Sequence, residues 1–239
     1  MMFCKSRGFI YLRVPKTAST SLSLQILDKI EFQSGDFSTM CGSPTYGMIP
    51  AKFKGVISRT PTIRFQFDEH ATLQRAVYEF GVLKEEDIEK YSVYGFLRNP
   101  IERFFSMFTH FFDLRKIDVS KMTKEEIASE GLQILREAKV PYEFMSPNPI
   151  QFNGSFPFHP QVKWLVFNDK PINNIILYPN FDEFLLKVTG STEFKYKEKI
   201  GKKPIHSEVS QSNLDAIREW YAEDFELWER LSRGRSVSE

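Results

Sequence analysis

The stretch Gly8-Phe9-Ile10-Tyr11-Leu12-Arg13-Val14-Pro15-Lys16-Thr17-Ala18-Ser19-Thr20-Ser21-Leu22 decides how this chain is read. Its first half, Gly8 to Val14, is compact and rich in β-formers, which predicts a strand. From Ser19 to Ile30, Leu22, Ile26 and Ile30 recur at i, i+4 and i+8 with Leu27 beside them. That spacing predicts a helix with one buried face. A strand that passes within a few residues into a helix aims the first helical N–H groups, and the positive end of the helix dipole, beyond the strand end. Thr17, Ser19, Thr20 and Ser21 add hydroxyl donors there, and Lys16 adds a full charge. The segment suits a phosphate-like anion. It is not a Walker A loop, because the glycines of G-x-x-x-x-G-K-[ST] are missing and only Val14-Pro15 leads into Lys16.

The same design recurs further on. Tyr91 to Leu97 predicts a strand and Pro100 to Leu114 a helix, with Pro near the first position, where its missing N–H costs nothing. The apolar stripe of that helix is Ile101, Phe104, Phe105, Phe108 and Phe112. Arg98 stands at the strand end, where its planar fork can grip a phosphate bidentately. Ser106, two turns into the helix, can add a hydroxyl. Taken singly, Arg98 also reads as the ion-pair partner of Glu102, and Ser106 as a small residue at a helix contact.

Further strands are expected at 62–67 and 174–178, and further helices at 71–80, 121–139, 181–188 and 212–231. Ser212 and Asp215 have capping-box spacing for the last helix, whose stripe is Leu214, Ile217, Tyr221, Phe225 and Trp228. Strands alternating with helices give an α/β fold with a mostly parallel sheet, in which ligands bind beyond the carboxyl ends of the strands. One domain is expected over 1–239, with irregular insertions near 32–55 and 140–160.

Composition narrows the function. Of 239 residues, 41% are hydrophobic and 26% charged, as in a soluble globular protein. Lys and Arg total 32 against 31 Asp and Glu, so no broad basic field exists for nucleic acid or an anionic membrane. Any anion has to be held by a local pocket. Two cysteines, Cys4 and Cys41, exclude a disulfide-dense scaffold and a Cys-rich zinc site, and no histidine pair has metal-ligand spacing, so no metal is expected. No run reaches the ~18 apolar residues of a membrane span. With no signal peptide visible, a cytoplasmic protein is expected.

The motif RVPKTASTSL, Arg13 to Leu22, resembles the 5′-phosphosulfate-binding motif of the sulfotransferases that use PAPS (3′-phosphoadenosine 5′-phosphosulfate). Among them it is most similar to the uronyl 2-O-sulfotransferases, of the heparan sulfate type, that act in glycosaminoglycan synthesis. FLRNPIERFFSMF, Phe96 to Phe108, resembles their 3′-phosphate motif, R-[DN]-P-x-x-R-x-x-S, and Trp220 to Leu227 resembles their closing helix. The resemblance implies a P-loop-like three-layer α/β domain with a mostly parallel central sheet flanked by helices. It implies PAPS as nucleotide donor, PAP as product, and an acceptor hydroxyl, with a glycan favoured. By position, Lys16 would contact the sulfuryl and bridging oxygens, with Thr17, Ala18, Ser19, Thr20 and Ser21 around the 5′-phosphate. Arg98 and Ser106 would hold the 3′-phosphate. The basic loop Lys199 to Lys203, with Lys202 and Lys203, would close over the nucleotide. The Golgi members carry an N-terminal anchor, and no such segment is expected here. This sequence carries Asn180 where many relatives have an acidic residue, and Val140 to Phe158 has no counterpart.

Sulfuryl transfer to an alcohol needs a base for the acceptor proton. Asp68-Glu69-His70 follows the expected second strand, and the 2-O-sulfotransferases have a histidine base in a comparable place. His70 is the first choice and Glu69 the second; paired with Asp68 or Glu69, His70 would be structural instead. An unperturbed histidine would make the rate rise with pH near ~6.5. His110 reads as a packed side chain, and His159 as part of a segment that lines the acceptor cleft. Two other readings compete. A nucleotide or small-molecule kinase could use the same edge, but the glycine loop and a magnesium-binding Asp are missing. The other is a non-catalytic module that keeps the PAPS pocket but has lost turnover; the retained Lys16 and the candidate base His70 argue against it.

Overall fold

The computed structural model describes residues 1–31, 33, 36–38, 70–79, 81–137, 158–195 and 208–233. The expected strand at 62–67, most of both insertions and the basic loop from 196 onward lie outside the described residues. The strands are β1 (Met2–Cys4), β2 (Phe9–Leu12), β3 (Phe37–Ser38), β4 (Ser92–Leu97), β5 (Val166–Phe167), β6 (Lys170–Pro171) and β7 (Asn174–Leu177). The longer helices are α1 (Ser19–Lys29), α2 (Glu85–Lys90), α3 (Pro100–Leu114), α4 (Lys124–Glu137), α5 (Asp182–Thr189), α6 (Gln211–Trp220) and α7 (Ala222–Arg233). The chain divides into two compact units, Met1–Leu97 with Lys163–Glu198, and Arg98–Val162 with Lys199–Glu239.

The first unit is built on a sheet of order β3-β1-β2-β4-β7. β2, β4 and β7 pair in parallel, with Leu12 opposite Gly95 and Leu97 opposite Leu177. β1 pairs antiparallel with both β2 and β3, so among these five described strands it alone runs against the rest. The α/β expectation with a mostly parallel sheet is met. β4 is buried from Val93 to Leu97, the unbroken apolar run of a strand covered on both faces. On one face Tyr11, Tyr94 and Phe96 pack with Leu22 and Ile26 of α1 and Leu185 and Val188 of α5. The Phe184 ring sits 5.1 Å from that of Tyr11 and 5.2 Å from those of Tyr94 and Phe96.

On the other face Gly95 makes room for the segment that leads through β5 and β6. A Cβ at Gly95 would lie 2.4 Å from Leu165 Cδ2 and 3.1 Å from Ile172 Cδ1. Leu165 is fully buried and cannot simply swing away. Gly95→Ala should therefore cost ~1–3 kcal/mol of stability through overpacking. Denaturant unfolding checks this, and an unchanged midpoint would mean that the Leu165 contact is loose.

β1 and the β5–β6 hairpin were not anticipated. β1 is three residues long, too short for a periodic signal, and is turned onto β2 through Lys5–Arg7 and Gly8, whose φ of +71° suits glycine. The hairpin turn is Asn168-Asp169, both at positive φ, a pair that tolerates the left-handed region.

In the second unit Phe104, Phe108 and Phe112 of α3 are buried against Ile127, Ala128, Leu132 and Leu135 of α4 and Ile217 of α6. This matches the stripe expected for α3, with Ile101 and Phe105 partly buried beside it. The expected single last helix is instead two, α6 and α7, broken at Tyr221 (φ −111°, ψ 31°). The cap is Ser210, whose side chain accepts from the Asn213 N–H, rather than Ser212. The break shifts the inward face: Ile217, Tyr221, Asp224 and Leu227 are buried, while Phe225 and Trp228 are only partly so.

Candidate functional site

β2 ends at Leu12, and four turn residues, Pro15 to Ala18, carry the chain into α1. No glycine is available to make that bend, so Lys16 and Ala18 adopt left-handed backbone, φ +66° and +58°. For residues with a Cβ this costs roughly 1–2 kcal/mol each. The surroundings hold it in place. Thr17 is fully buried, and its Oγ1 donates to the Val14 carbonyl at 2.9 Å. The hydroxyl expected to face an anion is thus committed to the turn. Ser19 and Ser21 are also buried, whereas Lys16, Ala18 and Thr20 are half-exposed. Ala18 is the N-cap of α1, and among the described residues no side chain caps the helix, so its first N–H groups and the positive end of its dipole face the turn.

Arg13, not singled out as a site residue, lies fully buried beneath this turn and donates from Nη2 to Thr20 Oγ1 at 3.2 Å. Its signal was present: an arginine inside an otherwise apolar strand end is a buried charge with a task. His70 reaches the same place from 57 positions away, its Nδ1 bonded to the Arg13 carbonyl at 2.5 Å. A carbonyl only accepts, so Nδ1 carries the hydrogen and Nε2 keeps its lone pair. Trp164 Nε1 donates to the His70 carbonyl, which pins the residue from the other side. Burial first, then the charge of Arg13, pushes the His70 pKa down to about 3; the amino terminus and Lys16 add to this, and the bond to the Arg13 carbonyl opposes it. The expectation of an ordinary histidine titrating near ~6.5 is therefore corrected. Asp68 and Glu69 lie outside the described residues.

In the second unit Asn99 caps α3, its Oδ1 accepting from the N–H groups of Ile101 at 3.0 Å and Glu102 at 3.2 Å, with Pro100 in the first turn. The Arg98–Glu102 ion pair exists, with Nε 3.4 Å from Oε2, but Glu102 is exposed. Such a pair is worth ~0–1 kcal/mol, too little to keep Arg98 from a phosphate. Arg103, the second arginine of the motif, is buried, its guanidinium 5.8 Å from the centre of the Tyr221 ring. Ser106 is half-buried on the second turn.

His110 is exposed, against the expectation of a packed side chain. His159 lines an open cleft of about 570 Å³ with Arg136, Glu219 and Trp220. Lys202 and Lys203 lie outside the described residues. Among the described residues no His, Cys, Asp and Glu cluster has the makings of a metal site, and no helix is long and apolar enough to cross a membrane.

The model of the sulfotransferase family matches residues 1–147. No curated protein and no solved structure matches the chain. The match takes in both the strand–turn–helix of Leu12 to Ser21 and the Arg98 to Ser106 segment, and it spans more than half of the 239 residues. On that length of match, and with the turn after β2 built as described, the chain belongs to the sulfotransferase family.

Proposed function

We propose that this protein transfers the sulfuryl group of PAPS to an acceptor hydroxyl, a carbohydrate-like one favoured, and releases PAP. The observation that carries the reading is the turn after β2: a half-exposed Lys16 beside a helix start that no side chain caps among the described residues. In this reading the α1 N–H groups and Thr20 surround the 5′-phosphate, shaped by Thr17, Ala18, Ser19 and Ser21. Lys16 neutralises the bridging and sulfuryl oxygens. Arg98 and Ser106 take the 3′-phosphate, and Lys202 and Lys203 close over the nucleotide. β2 and β4 are parallel neighbours, so their carboxyl ends, Leu12 and Leu97, lie at one end of the sheet, where ligands of such sheets bind. The family match runs through both units, which supports one functional domain of P-loop-like, three-layer design.

In the reaction the acceptor oxygen forms a bond to sulfur as the bond from sulfur to the 5′-phosphate oxygen breaks. The electron pair of that bond leaves with PAP, and the acceptor proton goes to a base. His70 Nε2 is the first candidate base and Glu69 the second. The negative charge of the bound donor would offset Arg13 and Lys16 and so raise the basicity of the ring.

Titration with nucleotides tests the reading. PAP should bind far more tightly than AMP, because only PAP carries a group for Arg98. Arg98→Ala should weaken PAP by ~1.5–3 kcal/mol and leave AMP unchanged. Equal affinity of the wild type for PAP and AMP would overturn the donor assignment. ATP displacing PAP would favour a kinase, and PAP binding without transfer of labelled sulfate from PAPS to a panel of glycans would favour a binding module.

A further inference from the structure

Gln161 lies in the Phe158-His159-Pro160-Gln161 segment read as lining the acceptor cleft, yet it holds the backbone of Arg98 on both sides. Its Oε1 accepts from the Arg98 N–H at 2.9 Å, and its Nε2 donates to the Arg98 carbonyl at 2.9 Å. Arg98 belongs to neither β4 nor α3, so ladder and helix bonds do not set its direction. Gln161 is itself fully buried and fixed. Its backbone N–H donates to Asp224 Oδ2 at 2.8 Å, its Nε2 also reaches that oxygen at 3.3 Å, and the Val162 N–H donates to Asp224 Oδ1 at 2.9 Å. Asp224, in the first turn of α7, is fully buried. Burial pushes its carboxyl up, while the charge of Arg103 and the N–H donors of Gln161 and Val162 work the other way. Arg103 bonds to Tyr221, whose hydroxyl donates to the Phe158 carbonyl at 2.9 Å.

A buried carboxylate and guanidinium contribute little net stability compared with apolar residues of the same volume. Here they converge on the one segment that bears Arg98. We infer that Gln161 and Asp224 are positioning residues for the donor's 3′-phosphate: they clamp the Arg98 backbone so that its guanidinium is presented in one direction, with Arg103 as the buried counter-charge to Asp224. The inference rests on the PAPS reading above. It divides the two arginines of the motif between them, Arg98 toward the nucleotide and Arg103 inward. The physical gain is preorganisation, since an arginine whose backbone is already fixed has less freedom left to lose on binding.

The test is calorimetric titration of the full chain with PAP and with AMP, alongside thermal unfolding. Gln161→Met keeps the volume and removes both bonds to Arg98; Asp224→Asn keeps the shape and removes the charge. Each should lower PAP affinity by about 10-fold, the loss of roughly one well-made hydrogen bond, and leave AMP affinity unchanged. General loosening would weaken both nucleotides or neither, so the PAP-to-AMP ratio separates positioning from mere structure. A folded Gln161→Met protein with the wild-type ratio would overturn the inference. Should both variants fail to fold, amide hydrogen exchange of wild-type Arg98 decides, with slow exchange expected and exchange at the free-peptide rate overturning it. If Arg98→Ala itself leaves the ratio unchanged, the donor reading fails, and the role given to Gln161 falls with it.

Discussion

His70→Ala should lower the rate of sulfuryl transfer by ~100-fold or more, the usual contribution of a positioned base, while PAP affinity stays nearly unchanged. In the proposed reaction the ring acts only on the acceptor proton. With its pKa pushed down to about 3, it is neutral throughout the working range. The wild-type kcat/KM, which reports the free enzyme, should therefore be flat between about pH 6 and 8, where an ordinary histidine near ~6.5 would give a rise. A sigmoidal rise centred near ~6.5 and absent from the variant would show a well-solvated ring and overturn the desolvation that its half-buried placement imposes. Wild-type turnover of His70→Ala with an inactive Glu69→Gln would move the base to Glu69. The same shift predicts how stability depends on pH. The folded pKa lies below the unfolded value, so on acidification the unfolded chain takes up the proton first. Stability tied to His70 is whole above about pH 6.5 and is lost as pH falls toward about 3. The slope is at most ~1.4 kcal/mol per pH unit, and His70→Gln should flatten it in urea titrations.

Lys16→Ala should reduce kcat/KM by about 100- to 1,000-fold, the range for removing one donor aimed at developing charge. Donor binding and rate should both suffer, because charge on the donor is present before reaction and grows as the sulfur–oxygen bond breaks. Lys16→Arg should rescue poorly, since a wide planar fork does not replace a compact ammonium in a tight turn. Lys16→Gly separates function from strain. At φ +66° glycine removes the Cβ penalty, so this variant should be about 1 kcal/mol more stable than Lys16→Ala and just as inactive. Equal unfolding midpoints for the two variants would show that the turn relaxes and stores no strain. Substantial activity of either would show that the α1 N–H groups suffice without an ammonium.

Where local chemistry decides an element, the sequence was enough. α3 begins and ends where expected because Asn99 and Pro100 define its start and phenylalanines at helical spacing define its inner face. β4 was legible as an apolar run, and the turn from β2 into α1 as a strand followed by hydroxyls and a lysine. The α/β class, the family and the residues of the candidate site follow from these short-range signals.

Tertiary structure decided the states of those residues. Thr17 turns inward because the Val14 carbonyl of the bend needs a donor, which no residue type announces. The last helix breaks at Tyr221, a residue with no breaking tendency of its own, and the break turns Asp224 into the core. His70 loses its ordinary pKa first to desolvation and then to the charge of Arg13, and Arg98 gains its clamp from Gln161, 63 positions away. Residue type and spacing thus determined where strands end and helices begin, because hydrogen-bond caps and apolar periodicity act within a few residues. Burial and charge act between segments that only the folded chain brings together, so protonation, orientation and strain were settled by the tertiary structure alone.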